Sequence, residues 1–321
     1  MCLQALNRAA RQEIELLSDI LAVMKLRGTL YFRTAFTAPW GIEVPPFENV
    51  ARFHYAHRGR CWVHVEGTTD PVLLDQGDLV IIPHGARHVI GEPRDATAAT
   101  LDRVLEHSGF TGEGALVYGA EGGGHTTELI CGHFAFDHEV THPLLAALPP
   151  RIHVKNYGDA AHHWLDLTLK MIGSEVGRSG LGADLIALKL SETICAQAIR
   201  AFLIDEGKDH PVLAGFTDPN ISRVLQAVHR DPAADWTLDT MAREARQSRS
   251  AFAERFRRVM DRTPLDYLTQ WRMLKARQML AETPAPIIEV AERSGYRSEA
   301  AFGRAFKRHI GRTPANIRRA R

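Results

Sequence analysis

No apolar run in this 321-residue chain approaches the roughly eighteen residues that a membrane span requires. The first stretch, MCLQALNRAARQEIELLSDILAVMKLRG, scatters acids and bases among its apolar positions. That pattern excludes the continuous apolar core of a secretion signal and predicts one or two short amphipathic helices. Cysteine is scarce, and Cys2, Cys61, Cys131 and Cys195 show no paired spacing. That pattern favours a reducing compartment, the cytoplasm, over a disulfide framework. Net charge is nearly absent as well, at +1. What remains is a hydrophobic content of 45% in a chain long enough for two or three domains, each with its own core.

The near-zero charge hides an asymmetry. Residues 236–321 hold 19 Lys and Arg against 9 Asp and Glu, a net +10, which leaves 20 bases and 29 acids, a net −9, in the rest. A basic C-terminal module joined to an acidic remainder implies that only the C-terminal part meets a polyanion.

The texture of the sequence changes along its length. Between about Trp40 and Asp137 the runs RCWVHVEG, PVLLDQGDLVIIP, GALVYG and TTELICGHFAFD are apolar or alternating, with Gly, Pro and Asp between them. Short strands at such spacing predict a sandwich or a small barrel. Two later stretches, HHWLDLTLKMIGSEVG and GADLIALKLSETICAQAIRAFLID, carry apolar residues at three- and four-residue spacing and read as amphipathic helices. The segment EGKDHPVLAGFTDPN, around 206–220, has the composition of a linker, and everything after it is helical in pattern. The expected class is α+β, with a sheet domain over 1–150, helices and linker over 151–218, and an all-α domain over 219–321.

The strongest signal is a repetition. SRSAFAERFRRVMDRTP, from Ser248, returns fifty residues later as SEAAFGRAFKRHIGRTP, from Ser298. In each copy phenylalanines at helical spacing (Phe252 and Phe256; Phe302 and Phe306) mark a buried face. A serine before the run can cap the helix. Upstream of each lies a shorter helix, TLDTMAREA or PIIEVAERSGY, separated by a tight turn. Helix, turn and helix make a helix-turn-helix, at about 237–260 and again at 287–310. LDYLTQWRMLKARQMLAET between them reads as one continuous helix. Such an arrangement lets a single chain place two recognition helices in successive major-groove segments, about 34 Å apart.

This layout resembles the DNA-binding module of the AraC/XylS family of bacterial transcription regulators. It does so over roughly residues 219–319, most specifically in GYRSEAAFGRAFKRHIGRTP. One departure is Arg246, in the first turn, where the family usually has glycine. The resemblance assigns DNA contact to the exposed N-terminal part of each second helix. Ser248, Arg249, Ser250, Ala253, Glu254 and Arg257 are the candidates in the first copy. Ser298, Glu299, Ala300, Gly303, Arg304, Lys307 and Arg308 are those in the second. Arg304 is the strongest base reader among them, since arginine bonds a guanine edge through two parallel hydrogen bonds. Glu254 and Glu299 either accept from cytosine amines or pair with neighbouring arginines. Arg257, Arg258, Lys307, Arg308, Arg312, Arg318 and Arg319 suit phosphates or solvated surface.

GDLVIIPHGARH, from Gly77 to His88, has the residue order of the second motif of cupin β-barrels. It is similar to the cupin-like sensor domain found ahead of many AraC-type modules. The first motif is degraded: His54 is followed by Tyr55 and Ala56, where metal-dependent cupins place a second histidine. His54, His88, Cys131 and His133 nonetheless form a nitrogen- and sulfur-rich set of the kind zinc takes. The other reading is that His54 and His88 hydrogen-bond inside a barrel and Cys131 is a small core residue.

The resemblance implies further that the helices near 160–205 pair two chains. Ile186, Leu188, Leu190 and Ile194 supply the apolar stripe, and packing on their own barrel is the other natural role. The function implied is a non-enzymatic, cytoplasmic transcription regulator that binds promoter DNA. Its partners would be a small-molecule effector, a second copy of the chain and RNA polymerase, with no membrane. The alternative is a metal-dependent cupin enzyme carrying a DNA-binding module.

Overall fold

The computed structural model describes residues 16–25, 27–112, 114–121, 123–136, 142–155, 167, 168, 171, 182–207 and 213–319. Chain contacts divide it into two units, one spanning Leu26–Asp137 with Leu148–Phe202, the other Met1–Lys25, His138–Ala147 and Leu203–Arg321.

The first unit is built from two sheets. Strands β1 (Arg27–Thr37), β2 (Trp40–Val44), β3 (Val50–Arg58), β4 (Cys61–Val65), β5 (Val72–Leu74) and β6 (Leu79–Ile82) come first in the chain. They are followed by β7 (His88–Glu92), β8 (Ala99–Thr100), helix α2 (Leu101–Ser108), β9 (Ala115–Gly119), β10 (Thr126–Ala135) and β11 (Ile152–Val154). One sheet runs β11-β6-β3-β10-β1-β9 and the other β5-β4-β7-β2-β8. Alternation fixes which face is buried: in β4, Cys61, Val63 and Val65 point inward while His64 is exposed. A shared core that includes Phe36, Trp40, Ile42, Val63, Leu74, Ile90 and Leu116 joins the sheets.

Glycine shapes the passage between the sheets. Gly85 has φ of +61°, and a Cβ there would lie 2.1 Å from the Phe47 carbonyl oxygen. Only glycine accepts both conditions. The chain can therefore turn tightly out of β6 in one sheet and enter β7 in the other, with His88 leading.

The long helix after the sheets, labelled α4 (Ala183–Asp205), divides the expected apolar stripe. Ile194, Cys195, Ala198 and Ile199 are buried, whereas Ile186 is 43% and Leu185 is 61% exposed. The other expected helix, around 160–175, lies outside the described residues apart from 167, 168 and 171.

The second unit holds the repeat. Its helices are α1 (16–23), α3 (Pro143–Ala146), α5 (Ala214–Thr217), α6 (Pro219–Arg230), α7 (Leu238–Glu244), α8 (Arg249–Met260), α9 (Pro264–Glu282), α10 (Ile287–Arg293), α11 (Glu299–Ile310) and α12 (Pro314–Arg319). Two placements differ from the expected boundaries. The helix α1 and the segment around α3, both inside the expected 1–150 domain, pack with the C-terminal helices. Residues 214–217, expected as linker, form α5, with Leu213 before it and Phe216 within it both buried.

Start and stop signals follow the repeat. Thr237 and Thr240 form a reciprocal capping box ahead of α7. Ser248 and Ser298 cap α8 and α11, each accepting from the backbone N–H three residues on at 3.4 Å. The duplicated Thr-Pro performs the same task twice. Thr263 with Pro264 starts α9, and Thr313 accepts from Asn316 N–H as Pro314 starts α12.

Helix α9 joins the two copies. It contacts α7 and α8 of the first and α10, α11 and α12 of the second. Tyr267 meets Phe256 edge-on at 6.1 Å. Farther along α9, Met273, Ala276 and Leu280 enter a core with Val290, Phe302 and Phe306.

Candidate nucleic-acid interface and internal cavity

The recognition helices α8 and α11 each have a sealed face and an open one. Phe252, Phe256, Phe302 and Phe306 are no more than 1% exposed, as expected for packing residues. On the opposite faces Ser248, Arg249, Ser250, Glu254 and Arg257 are exposed, as are Ser298, Glu299, Ala300, Arg304, Lys307 and Arg308. Ala253 and Gly303, at matching positions one turn in, are half-buried. A Cβ added at Gly303 would meet nothing within 4 Å, so its surroundings are open. Arg249 lies 3.7 Å from Asp239, a pair in which both side chains are more than 60% exposed. Such a pair contributes little and can part for a phosphate. Among the described residues Arg304 has no charged partner, and neither Glu254 nor Glu299 is in an ion pair.

The turns that aim these helices are not equivalent. Gly295 adopts φ of +78° in the second copy, and Arg246 takes +55° at the corresponding place in the first. A Cβ at Gly295 would come within 2.8 Å of the Arg272 guanidinium and 2.9 Å of the Ala233 carbonyl oxygen. Glycine is required there by space as well as by φ. Arg246 is exposed, so its side chain fits, and the left-handed backbone is the whole cost. Arg272 is the reason for the crowding. From α9 it donates to the Pro232 and Ala234 carbonyls at 2.6 and 2.9 Å, and its guanidinium faces the Tyr296 ring at 6.0 Å. One side chain thus grips the approach to the first copy and the turn of the second.

The sheet unit holds a partly open cavity of about 300 Å³. Its walls are mostly apolar: Phe36 from β1, Ile42 and Val44 from β2, Ile90 from β7, Leu105 from α2 and Leu116 from β9. The polar wall comes from two neighbouring strands. In the antiparallel pairing of β3 with β10, His54 stands opposite Cys131, and Arg52 opposite His133. Arg52, His54 and Cys131 line the cavity, and His133 does not.

The hydrogen bonds fix the tautomers. His88 Nδ1 is 2.9 Å from the Ala86 carbonyl oxygen, which can only accept, so Nδ1 carries a proton. Burial pushes His88 down to about 4, leaving it neutral with a bare Nε2. His54 Nε2–H therefore donates to His88 Nε2 at 2.8 Å. His54 is also held neutral, by burial first and then by the nearby His88 and Arg52, so its Nδ1 is bare. The Cys131 thiol, pushed up to about 12 by burial, donates to that Nδ1 at 3.1 Å. A directed chain runs from Cys131 through His54 and His88 to Ala86.

This chain occupies the nitrogens that a metal would need. Both nitrogens of His54 and both of His88 are committed, and His133 stands outside the set. Among the described residues, no group of three or more His, Cys, Asp or Glu is placed to hold an ion. The four residues do not fit a preformed zinc site. Cys61, Cys131 and Cys195 are free, buried thiols. Arg52, Phe47 and the α2 residues escaped the reading of the sequence. Arg52 precedes His54 by two and so shares its strand face, a signal that period-two alternation carries.

Twin helix-turn-helices on one spanning helix, each with an exposed arginine-bearing face, define a DNA-binding protein. Comparison with known proteins agrees. A cupin family profile matches residues 15–204, and a helix-turn-helix domain profile matches residues 241–320. An AraC-like transcription regulator of Streptomyces lividans is 31% identical over 313 residues, covering 94% of this chain and 97% of its own. A similarly named protein of Streptomyces antibioticus is 32% identical, covering 94% and 98%. The HTH-type transcriptional regulator AlkR of Acinetobacter baylyi is 30% identical, covering 79% and 82%. The chain belongs to the AraC family of transcription regulators, in the branch with an N-terminal cupin domain. It is a DNA-binding regulator and not an enzyme. No helix among the described residues is long and apolar enough to cross a membrane.

Proposed function

We propose that this regulator binds promoter DNA by laying α8 and α11 into successive major-groove segments, and that a small molecule in the cupin unit changes that binding. The observation that carries the reading is the shared architecture of the two copies. Each recognition helix seals its phenylalanine face against the fold and leaves the opposite, arginine-bearing face exposed. In this reading Arg304 reads a guanine, while Arg249, Ser250, Ala253, Glu254, Glu299, Ala300 and Gly303 line the base edges. Ser248, Ser298, Arg257, Lys307 and Arg308 meet phosphate. Leu185 and Ile186, exposed on α4, supply a pairing surface for a second copy, which would double the recognised site. RNA polymerase is the further partner that the family implies, and the cytoplasm is where such a protein meets its DNA.

A mobility-shift titration against the DNA upstream of neighbouring genes tests the reading. Arg304→Ala should weaken specific binding while sparing non-specific binding. Equal loss on both would remove Arg304 from base reading.

A further inference from the structure

Two recognition helices reach successive groove segments together only if the distance and the angle between them are set in advance. Helix α9 supplies part of that setting by packing. Tyr267 meets Phe256 of the first copy, while Met273, Ala276 and Leu280 share a core with Phe302 and Phe306 of the second. Apolar contact of this kind is non-directional and specifies position through shape alone.

Arg272 stands between those two stretches of α9, and its contacts are directional and reach both copies. Its Nε and Nη2 donate to the carbonyls of Pro232 and Ala234, at 2.6 and 2.9 Å, in the loop that leads into α7. That loop is tied to itself. Trp236 donates from its ring nitrogen to the Asp231 carbonyl at 2.8 Å, and from its backbone to the Ala234 carbonyl at 2.7 Å. The next residue, Thr237, caps α7. On its other side the guanidinium lies against the turn of the second copy. A Cβ at Gly295 would come within 2.8 Å of Arg272 Nη2 and 2.9 Å of the Ala233 carbonyl oxygen, so the turn sits directly against the loop. Tyr296 faces the guanidinium at 6.0 Å and meets Phe302 of α11 edge-on at 5.7 Å. Arg297 and Asp235 add an exposed pair at 3.6 Å across the same seam, which contributes little by itself.

We propose that Arg272 is a positioning residue for DNA recognition. By tying the entry of α7 to the turn before α11, it holds the two helix-turn-helices as one piece, so that the chain accepts operators whose two elements lie at a single separation. The role rests on the proposed entry of both recognition helices into the duplex. A guanidinium suits the task because its donors are fixed relative to one another, whereas those of an ammonium rotate. Readers held in the bound arrangement lose less freedom on binding, and the first element bound then presents the second at a high effective concentration.

The test starts by selecting bound duplexes from a random-sequence library with the full chain. Affinity is then measured for the selected site, for each of its two elements alone, and for versions with one base pair inserted or removed between them. One base pair shifts the second groove segment by about 3.4 Å and about 35°. In the unsubstituted protein this change should cost about tenfold in affinity. Arg272→Met, which keeps the stem and removes the donors, should weaken the intact site about tenfold and leave each single element bound as before. Its spacing penalty should shrink to about threefold, with Arg272→Lys falling between the two. A residue that merely stabilised the fold would weaken intact and single-element DNA alike.

Equal loss on intact and single-element DNA, or an unchanged spacing penalty in Arg272→Met, overturns the proposal. Should Arg272→Met fail to fold, the unsubstituted protein and Arg272→Lys decide. No spacing penalty in the former, or an undiminished one in the latter, overturns it equally. A two-element site read at any spacing removes the positioning role and leaves both readers in place. Selection of a single element removes the two-helix reading, and the role of Arg272 with it.

Discussion

His54 and His88 meet Nε2 to Nε2 at 2.8 Å, one from each of the two sheets. The bond works in one direction only. His54 must donate, because His88 has already given its single proton to the Ala86 carbonyl. A nitrogen-15 spectrum should accordingly show His54 protonated at Nε2 and His88 at Nδ1. His88→Leu should strand a buried N–H donor and lower stability by about 1–3 kcal/mol. Denaturant unfolding of the full chain measures this, and the opposite tautomers in the spectrum would overturn the chain as drawn.

The first turn of the repeat carries a correctable strain. A left-handed residue other than glycine costs about 1–2 kcal/mol, and the exposed side chain of Arg246 gains no packing that offsets it. Arg246→Gly is expected to raise stability by about 1 kcal/mol. Asp261, with φ of +52°, stands where the second copy has Gly311, and Asp261→Gly should act in the same direction. Gly295→Ala should do the reverse and cost more, since its Cβ would press on Arg272 and on the Ala233 carbonyl oxygen. Thermal melts of the three variants check the order; a stabilised Gly295→Ala would contradict it.

The repeat was legible because its signals are local. Capping serines, Thr-Pro starts and phenylalanines at helical spacing all act within a turn or two, so two copies could be aligned on the sequence alone. The odd residue, Arg246, stood out only through the family resemblance, which places glycine in that turn. The cupin turn was legible through Gly85. What the sequence concealed is non-local. Nothing near His142 indicates that its Nε2 lies 3.5 Å from the Tyr267 hydroxyl, 125 residues away. Composition made 206–220 look like linker, yet Leu213 and Phe216 are buried, with the His142 ring 6.0 Å from that of Phe216. The candidate ligands were a nitrogen-rich set by spacing, but spacing does not show where protons sit. Only the pairing of His54 with His88 revealed that their nitrogens are spent on one another.

Arg304 and Lys307 should separate by the kind of binding they support. Loss of a two-bond contact to guanine costs about 1–3 kcal/mol and acts on the specific site alone. Arg304→Ala should therefore narrow the ratio of specific to non-specific affinity while the salt dependence of non-specific binding holds. Lys307→Ala, which removes the proposed phosphate contact, should weaken all DNA alike and reduce the salt slope by about one. Filter binding across a salt series distinguishes the two, and a matching change in slope for both variants would show that Arg304 also meets phosphate.

Acid should loosen the C-terminal unit through a buried aromatic cluster. His229 stacks on Trp271 with ring centres 3.6 Å apart, and its Nε2 is 2.8 Å from the Tyr267 hydroxyl. His142 stands edge-on to the same Trp271 and accepts the Leu144 N–H. Burial holds both imidazoles below the free value of 6.5, assisted for His142 by His229 and Arg262. For His229, Asp19 opposes the burial and Lys275 reinforces it. Below pH 6.5 the unfolded chain therefore takes up protons that the folded unit refuses. Stability is fully present above that pH and falls as the solution is acidified, by at most about 1.4 kcal/mol per pH unit for each histidine. Melts of the full chain from pH 5 to 8 should show this slope, and His142→Phe, which removes one of the two bases, should flatten it. An unchanged slope in that variant would place the acid sensitivity elsewhere, at His229 or at the depressed histidines of the cupin unit.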